Sequence, residues 1–289
     1  MMRKSLSRRI AESMRYKMLS ILFLMSMVFV SCSPQKKLAY DFVKQSRGAS
    51  VALYLPDELK KTNLREDCDP RLFKDSDLDE KQIRDTIDAR TKILNKIDDD
   101  IFLDVLFASF KETLKDYDLK LEYDVEPDSL HWIVDLLHIE VQEKTPTLIS
   151  DCGIEGNIDM FSVTGINVAS WFELINGEKS NSLFNEQDYE EYLVDCYYSL
   201  DSLNNFLTNI RLNAITIEGF YDFAVMLGRL YAGYTYDFFM NEYVKKEMLR
   251  EEKDYSDDIY LRYDPYESYI YHTRSDRFVP MEEESAIDN

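Results

Sequence analysis

The chain has 289 residues, with 34 Lys and Arg against 55 Asp and Glu, a formal net charge of −21. A field of that sign repels nucleic acid, so nucleic acid is excluded as a partner. A hydrophobic content of 45% is that of a globular chain, and only eight glycines argue against a nucleotide-binding protein.

Arg3, Lys4, Arg8, Arg9, Arg15 and Lys17 make a basic N-terminal region, followed by an apolar run from Met18 to Val30. That run is shorter than the roughly 20 residues a membrane-spanning helix needs, so it reads as a signal peptide over residues 1–31. The run stops at a small residue and a cysteine, Phe29-Val30-Ser31-Cys32.

These four residues resemble the lipobox of bacterial lipoprotein precursors. The resemblance covers the N-terminal region alone. It implies cleavage before Cys32, a diacylglycerol with palmitate-type chains on the Cys32 thiol, and anchoring without a second signal, because several chains share the one residue. Ser33, where the family uses Asp for inner-membrane retention, implies the outer membrane of a Gram-negative envelope, on its periplasmic or outward face. Loss of residues 1–31 removes six basic side chains and Glu12, leaving 28 basic and 54 acidic side chains and a net charge of −26.

Residues 32–48 are expected to be the lipidated cysteine and a polar tether, with one helical turn at Leu38–Val43, and residues 49–289 a single α+β domain. Ala49–Leu55, closed by Pro56, is the first strand. Asp57–Asp79 reads as a charged loop with short helical turns. From Asp79, whose spacing to Gln82 matches a capping box, Ile83, Ile87, Leu94, Ile97, Ile101, Val105 and Phe110 form one helical stripe. Leu119–Val125, parts of His131–Gln142, and Ile158–Ile175 suggest an antiparallel meander.

Tyr189, Tyr192, Leu193, Cys196, Leu200, Leu203, Leu207 and Ile210 fall on one helical face, with Asn185 as its cap. A second long helix runs from about Glu218 to Met248, its Ala224, Gly228 and Ala232 forming an edge for close packing within the chain. Ile259–Phe278, with five tyrosines around Asp264-Pro265, reads as a hairpin. The fold class expected is thus α+β: a small, mostly antiparallel sheet packed against long amphipathic helices, with a C-terminal hairpin.

No constellation points to catalysis, a metal or a cofactor. His131 and His138 stand an odd number apart and fall on opposite faces of a regular strand, so they share a metal only across a bulge. Asp98, Asp99 and Asp100 diverge on a helix, and neither Asp254–Asp258 nor Asp264–Glu267 matches a calcium loop. After Cys32 three cysteines remain, an odd count; Cys68 with Cys152 is the favoured disulfide, and Cys196 reads as a buried small hydrophobe.

The candidate binding surface is the tyrosine set Tyr260, Tyr263, Tyr266, Tyr269 and Tyr271, since tyrosine joins contact area to a polar tip. The function expected is a non-catalytic, outer-membrane-anchored lipoprotein serving assembly, secretion or scaffolding through an envelope protein partner. The alternative is a lipoprotein that captures a glycan or peptide, with Trp171 as a further candidate; a carboxylate-dependent hydrolase ranks last.

Overall fold

The computed structural model describes residues 33–281, apart from 75, 92, 124–130, 145–146, 149–160, 163–164, 178, 190–193, 201–205, 213–215, 253–254 and 256–258. Of 147–148, 161–162, 194–200 and 206–212 only the backbone is described. Cys32 and Cys152, both singled out by the sequence, lie outside the described residues, as do Asp254, Asp257 and Asp258.

The protein is α+β. Among the described residues four α-helices accompany a seven-stranded sheet and a C-terminal two-stranded hairpin. Contacts divide it into two compact units, the larger spanning 46–239 and 274–289, the smaller made of residues up to 45 and 240–273.

In the larger unit the strands are β1 (Ser50–Tyr54), β2 (Lys60–Asn63), β3 (Lys120–Leu121), β4 (His131–Lys144), β5 (Thr147–Leu148), β6 (Phe161–Ser162), β7 (Gly165–Asn176), β8 (Lys179–Tyr189), β9 (Val194–Leu200), β10 (Phe206–Leu212) and β13 (Val279–Pro280). The helices are α2 (Glu80–Arg90), α3 (Asp99–Asp116) and the first part of α4 (Ile217–Arg250). Sheet order is β13-β8-β7-β4-β1-β3, with β2 also on β4. Its longest ladders, β4–β7 and β7–β8, are antiparallel, while β1 and β2 run parallel to β4 along successive stretches of it.

The first strand stands where the sequence puts it. The antiparallel meander, however, is β4–β7–β8, not the three segments expected, because β3 pairs in parallel with β1 and never meets β4. The segment read as a helix with an Asn185 cap is strand wherever it is described: Asn185 lies buried inside β8, and β9 and β10 pair antiparallel.

The long stripe from Ile83 is two helices. The capping box at Asp79 and Gln82 forms as read, but Thr91 is extended (φ −60°, ψ 131°) and ends α2. A 3-10 turn at Leu94–Lys96 precedes α3, which Asp98 caps by accepting from the Ile101 amide at 3.2 Å.

The core lies between α3, α4 and one face of the sheet. Phe102 stacks on Phe220 with ring centres 5.3 Å apart, Trp132 on Phe239 at 4.6 Å, and Phe172 meets Tyr231 at 4.9 Å and Phe278 at 4.5 Å. Each such pair adds about 0.5–1.5 kcal/mol beyond the area it buries. The small-residue edge packs inside the chain, as the sequence indicates. A Cβ on Gly228 would sit 2.3 Å from the Leu106 carbonyl oxygen and 2.9 Å from the Phe110 nitrogen, so the α3 and α4 backbones approach closely. Ser109 Oγ donates across the same seam to the Val225 carbonyl at 2.6 Å.

In the smaller unit α1 (Pro34–Gln45) replaces the expected tether. Ala39 and Phe42 bury one side of it, Phe42 against Tyr243 with ring centres 5.5 Å apart. Ser33 caps it, its Oγ accepting from the Lys36 amide and its carbonyl from the Lys37 amide, both at 3.2 Å. The hairpin β11 (Tyr260–Asp264) and β12 (Tyr269–Thr273) forms where the sequence predicts a turn at Asp264-Pro265. Its last expected residue, Phe278, belongs to the larger unit.

Candidate functional site

Two surfaces and one buried cluster gather chemically capable side chains. The first surface is the hairpin of the smaller unit. Leu261 and Ile270 are buried, and cross-strand pairing puts Tyr263 on their face, directly opposite Ile270. Alternation then places Tyr260, Tyr269 and Tyr271 on the other face, around Arg262. Tyr266 stands in the turn and is 81% exposed, and Tyr269 is 50% exposed. The turn is shaped by Asp264, whose Oδ1 accepts from the Tyr266 and Glu267 amides at 2.9 and 3.1 Å, and by Ser268 at φ 51°. The Lys36 ammonium lies over the Tyr269 ring, 5.2 Å from its centre.

The second surface is the face of β4, β7 and β8 opposite α4. A register shift between Leu136 and His138 inserts Leu137 as a bulge and reverses the parity of β4. Trp132, Val134 and Leu136 are buried before it; Ile139, Val141 and Glu143 are buried after it. The bulge also returns His138 to the face of His131, correcting the expectation of opposite faces. Seven residues of strand still hold the two about 20 Å apart, too far to share an ion. His272, the third histidine, is exposed on β12.

His138, Trp171 and Phe184 stand opposite one another on three adjacent strands, with successive ring centres 5.1 Å apart. Val279 of β13 continues the row and is 52% exposed. Beside the row, Asp135 and Glu173 pair directly across β4 and β7. Burial, aided by the Glu173 charge, pushes the Asp135 carboxyl above the usual carboxylate range. None of Phe184, Asp135 and Glu173 is singled out by spacing, and His138 stands out only against His131, since a cross-strand row depends on register.

The buried cluster is structural in form. Glu143, wholly buried, accepts from the Ile93 and Leu94 amides at 3.0 and 3.4 Å and faces Arg65 at 3.8 Å. Next to it on β4, Glu140 accepts from Thr62 at 2.6 Å and Lys60 at 3.1 Å. Burial pushes the Glu140 carboxyl up, but those hydrogen bonds outweigh it and hold it below its ordinary value. Nearby, Cys68 is a buried thiol 3.7 Å from the Asp67 carboxylate, pushed up by burial first and by that charge second.

Of the three aspartates at the start of α3, Asp98 caps the helix, while Asp99 pairs with Lys61 at 2.6 Å and accepts from the Leu59 amide at 3.0 Å. Among the described residues no group of three or more His, Cys, Asp or Glu gathers to hold a metal ion, and no helix is long and apolar enough to cross a membrane. No protein-family model, curated protein or solved structure matches the chain.

Proposed function

We propose that this is a non-catalytic lipoprotein of the Gram-negative envelope, held by acyl chains on Cys32 at the outer membrane, which serves assembly, secretion or scaffolding by binding an envelope protein. The observation that carries the reading is the basic segment and 13-residue apolar run that stop at Ser31-Cys32. The partner surface is the row His138, Trp171, Phe184 and Val279. An aromatic strip half open on a rigid sheet is the kind of surface that anchors protein contacts.

Two measurements test this. Fatty-acid labelling in cells is expected to mark the wild type and to fail for Cys32→Ala; no label on the wild type sinks the anchor. A photo-crosslinker at Val279 is expected to join the protein to one envelope protein, and recovery of the chain alone would count against a partner there.

A second reading, capture of a glycan, draws on one arrangement: Trp171 beside the carboxylates of Asp135 and Glu173 offers a stacking ring next to hydroxyl acceptors. Saturable quenching of tryptophan emission by envelope oligosaccharides, lost in Trp171→Leu, would favour it over protein contact.

A further inference from the structure

The sequence suggests a flexible spacer between the anchor and the fold, and the structure removes it. Ser33, the residue after Cys32, is already the cap of α1, bound to the first turn through its side chain and its carbonyl. One peptide unit, about 3.8 Å between Cα atoms, separates the lipidated residue from a rigid helix. The headgroup layer of a leaflet is roughly 5–8 Å deep. A rigid body attached so closely has its attachment point within that layer.

The side chains around that point suit it. Lys36 and Lys37 lie in the first turn of α1, within about 6 Å of Ser33 along the axis. Lys37 is exposed, and the Lys36 ammonium rests on the Tyr269 ring. Tyr40 Oη accepts from the Ile270 amide at 3.3 Å, which ties the hairpin to α1. Tyr269 is half exposed, and Tyr266 in the adjoining turn is the most exposed large apolar residue described. Lysine stems with charged ends and tyrosine rings with polar tips are the side chains that settle at a membrane–water interface.

We infer that the first turn of α1 and the hairpin turn Asp264–Ser268, with Lys36, Lys37, Tyr266 and Tyr269, form a phospholipid-facing surface that seats the smaller unit on the headgroups around its own anchor. The inference rests on lipidation of Cys32. The lysines meet lipid phosphates, and the two tyrosines lie at the level of the glycerol esters. Glu267, exposed in the turn, opposes the contact, so the overall charge of −26 makes this local basic pair necessary. Tyr266 and Tyr269 are thereby assigned to lipid, and the sheet row is left to the partner.

The test uses the full-length lipidated protein in vesicles of phosphatidylcholine and phosphatidylglycerol. Tyr266→Trp adds an emitter at a site exposed enough to leave the fold intact, and intact-mass measurement of the N-terminal peptide reports acylation of Cys32. The emission added by the substitution is expected to be quenched by phospholipid spin-labelled near the headgroup, well beyond the quenching of Trp132 and Trp171 in the wild type. Replacing Lys36 and Lys37 by Gln is expected to lower the contacting population about fivefold per lysine. Acylation without added quenching overturns the surface and leaves the anchor standing, as does a protein crosslink at position 266 in cells. An N-terminal peptide without acyl chains overturns both.

Discussion

Asn241 holds Leu261 by both of that residue's backbone groups: its Nδ2 donates to the Leu261 carbonyl at 2.7 Å and its Oδ1 accepts from the Leu261 amide at 2.9 Å. Both residues are buried, so this pair joins the hairpin to the C-terminal part of α4 where water cannot substitute. Asn241→Leu, close in size, is expected to cost about 2–4 kcal/mol, because it strands a donor and an acceptor at once. Hydrogen exchange at the Leu261 amide should accelerate by far more than exchange at the β4–β7 ladder; equal acceleration in both places would mean that the pair stabilises the whole chain and not the hairpin.

Gly228→Ala should be among the most damaging single-methyl additions. The new carbon would land on backbone, not on the end of a mobile side chain, so α3 and α4 must separate. A loss of about 1–3 kcal/mol or more is expected. Thermal melts of Gly228→Ala and of the neighbouring, exposed Arg229→Ala separate close packing from helix propensity, since the second should be nearly neutral.

Glu143 ties β4 to the turn before α3 through two amides and a guanidinium. Glu143→Ala is expected to lose about 3–5 kcal/mol, as for other buried charges deprived of a partner. Glu143→Gln keeps an acceptor for the amides and should lose less. Denaturant midpoints of the two variants and of Arg65→Ala check this, and a Glu143→Gln midpoint as low as that of Glu143→Ala would overturn the arrangement.

For Asp135 the direction of the pH effect follows from its raised carboxyl. A group that holds its proton more tightly when folded favours the fold at low pH and weighs against it once pH rises above the folded value. Asp135→Asn is therefore expected to raise the melting temperature near neutral pH, with the gain shrinking as the solution is acidified below the ordinary carboxylate range. Glu173→Gln should relieve part of the same cost, and the double variant should gain less than the sum. A gain that is independent of pH would assign the effect to packing.

What was legible in the sequence is local. The Asp79 and Gln82 box, the first strand, the long C-terminal helix with its small-residue edge and the hairpin turn are each set by residues within a few positions of one another. The break between α2 and α3 is set from far away, by a carboxylate at position 143 that takes the amides of Ile93 and Leu94. Periodicity through Ile83–Phe110 carries no trace of it. The residues from Tyr189 to Ile210 satisfy a helical spacing and a strand alternation together, and pairing between β9 and β10 decides the matter. The sheet row was hidden for a related reason: the three rings come from segments whose register depends on the Leu137 bulge.

That bulge gives the strand an arithmetic of its own. Because side chains alternate, β4 on either side of Leu137 is read in opposite parity, and the extra residue keeps Glu143 inward while Lys144 points away from the core. Drawing Leu137 into the regular alternation would turn the second half of the strand inside out, presenting Gln142 and Lys144 to the core and Glu143 to the outer face. Loss of Leu137 itself would close the bulge and leave a regular ladder with the same side chains inward, so a codon lost at this one position is a milder event than one lost elsewhere in the strand.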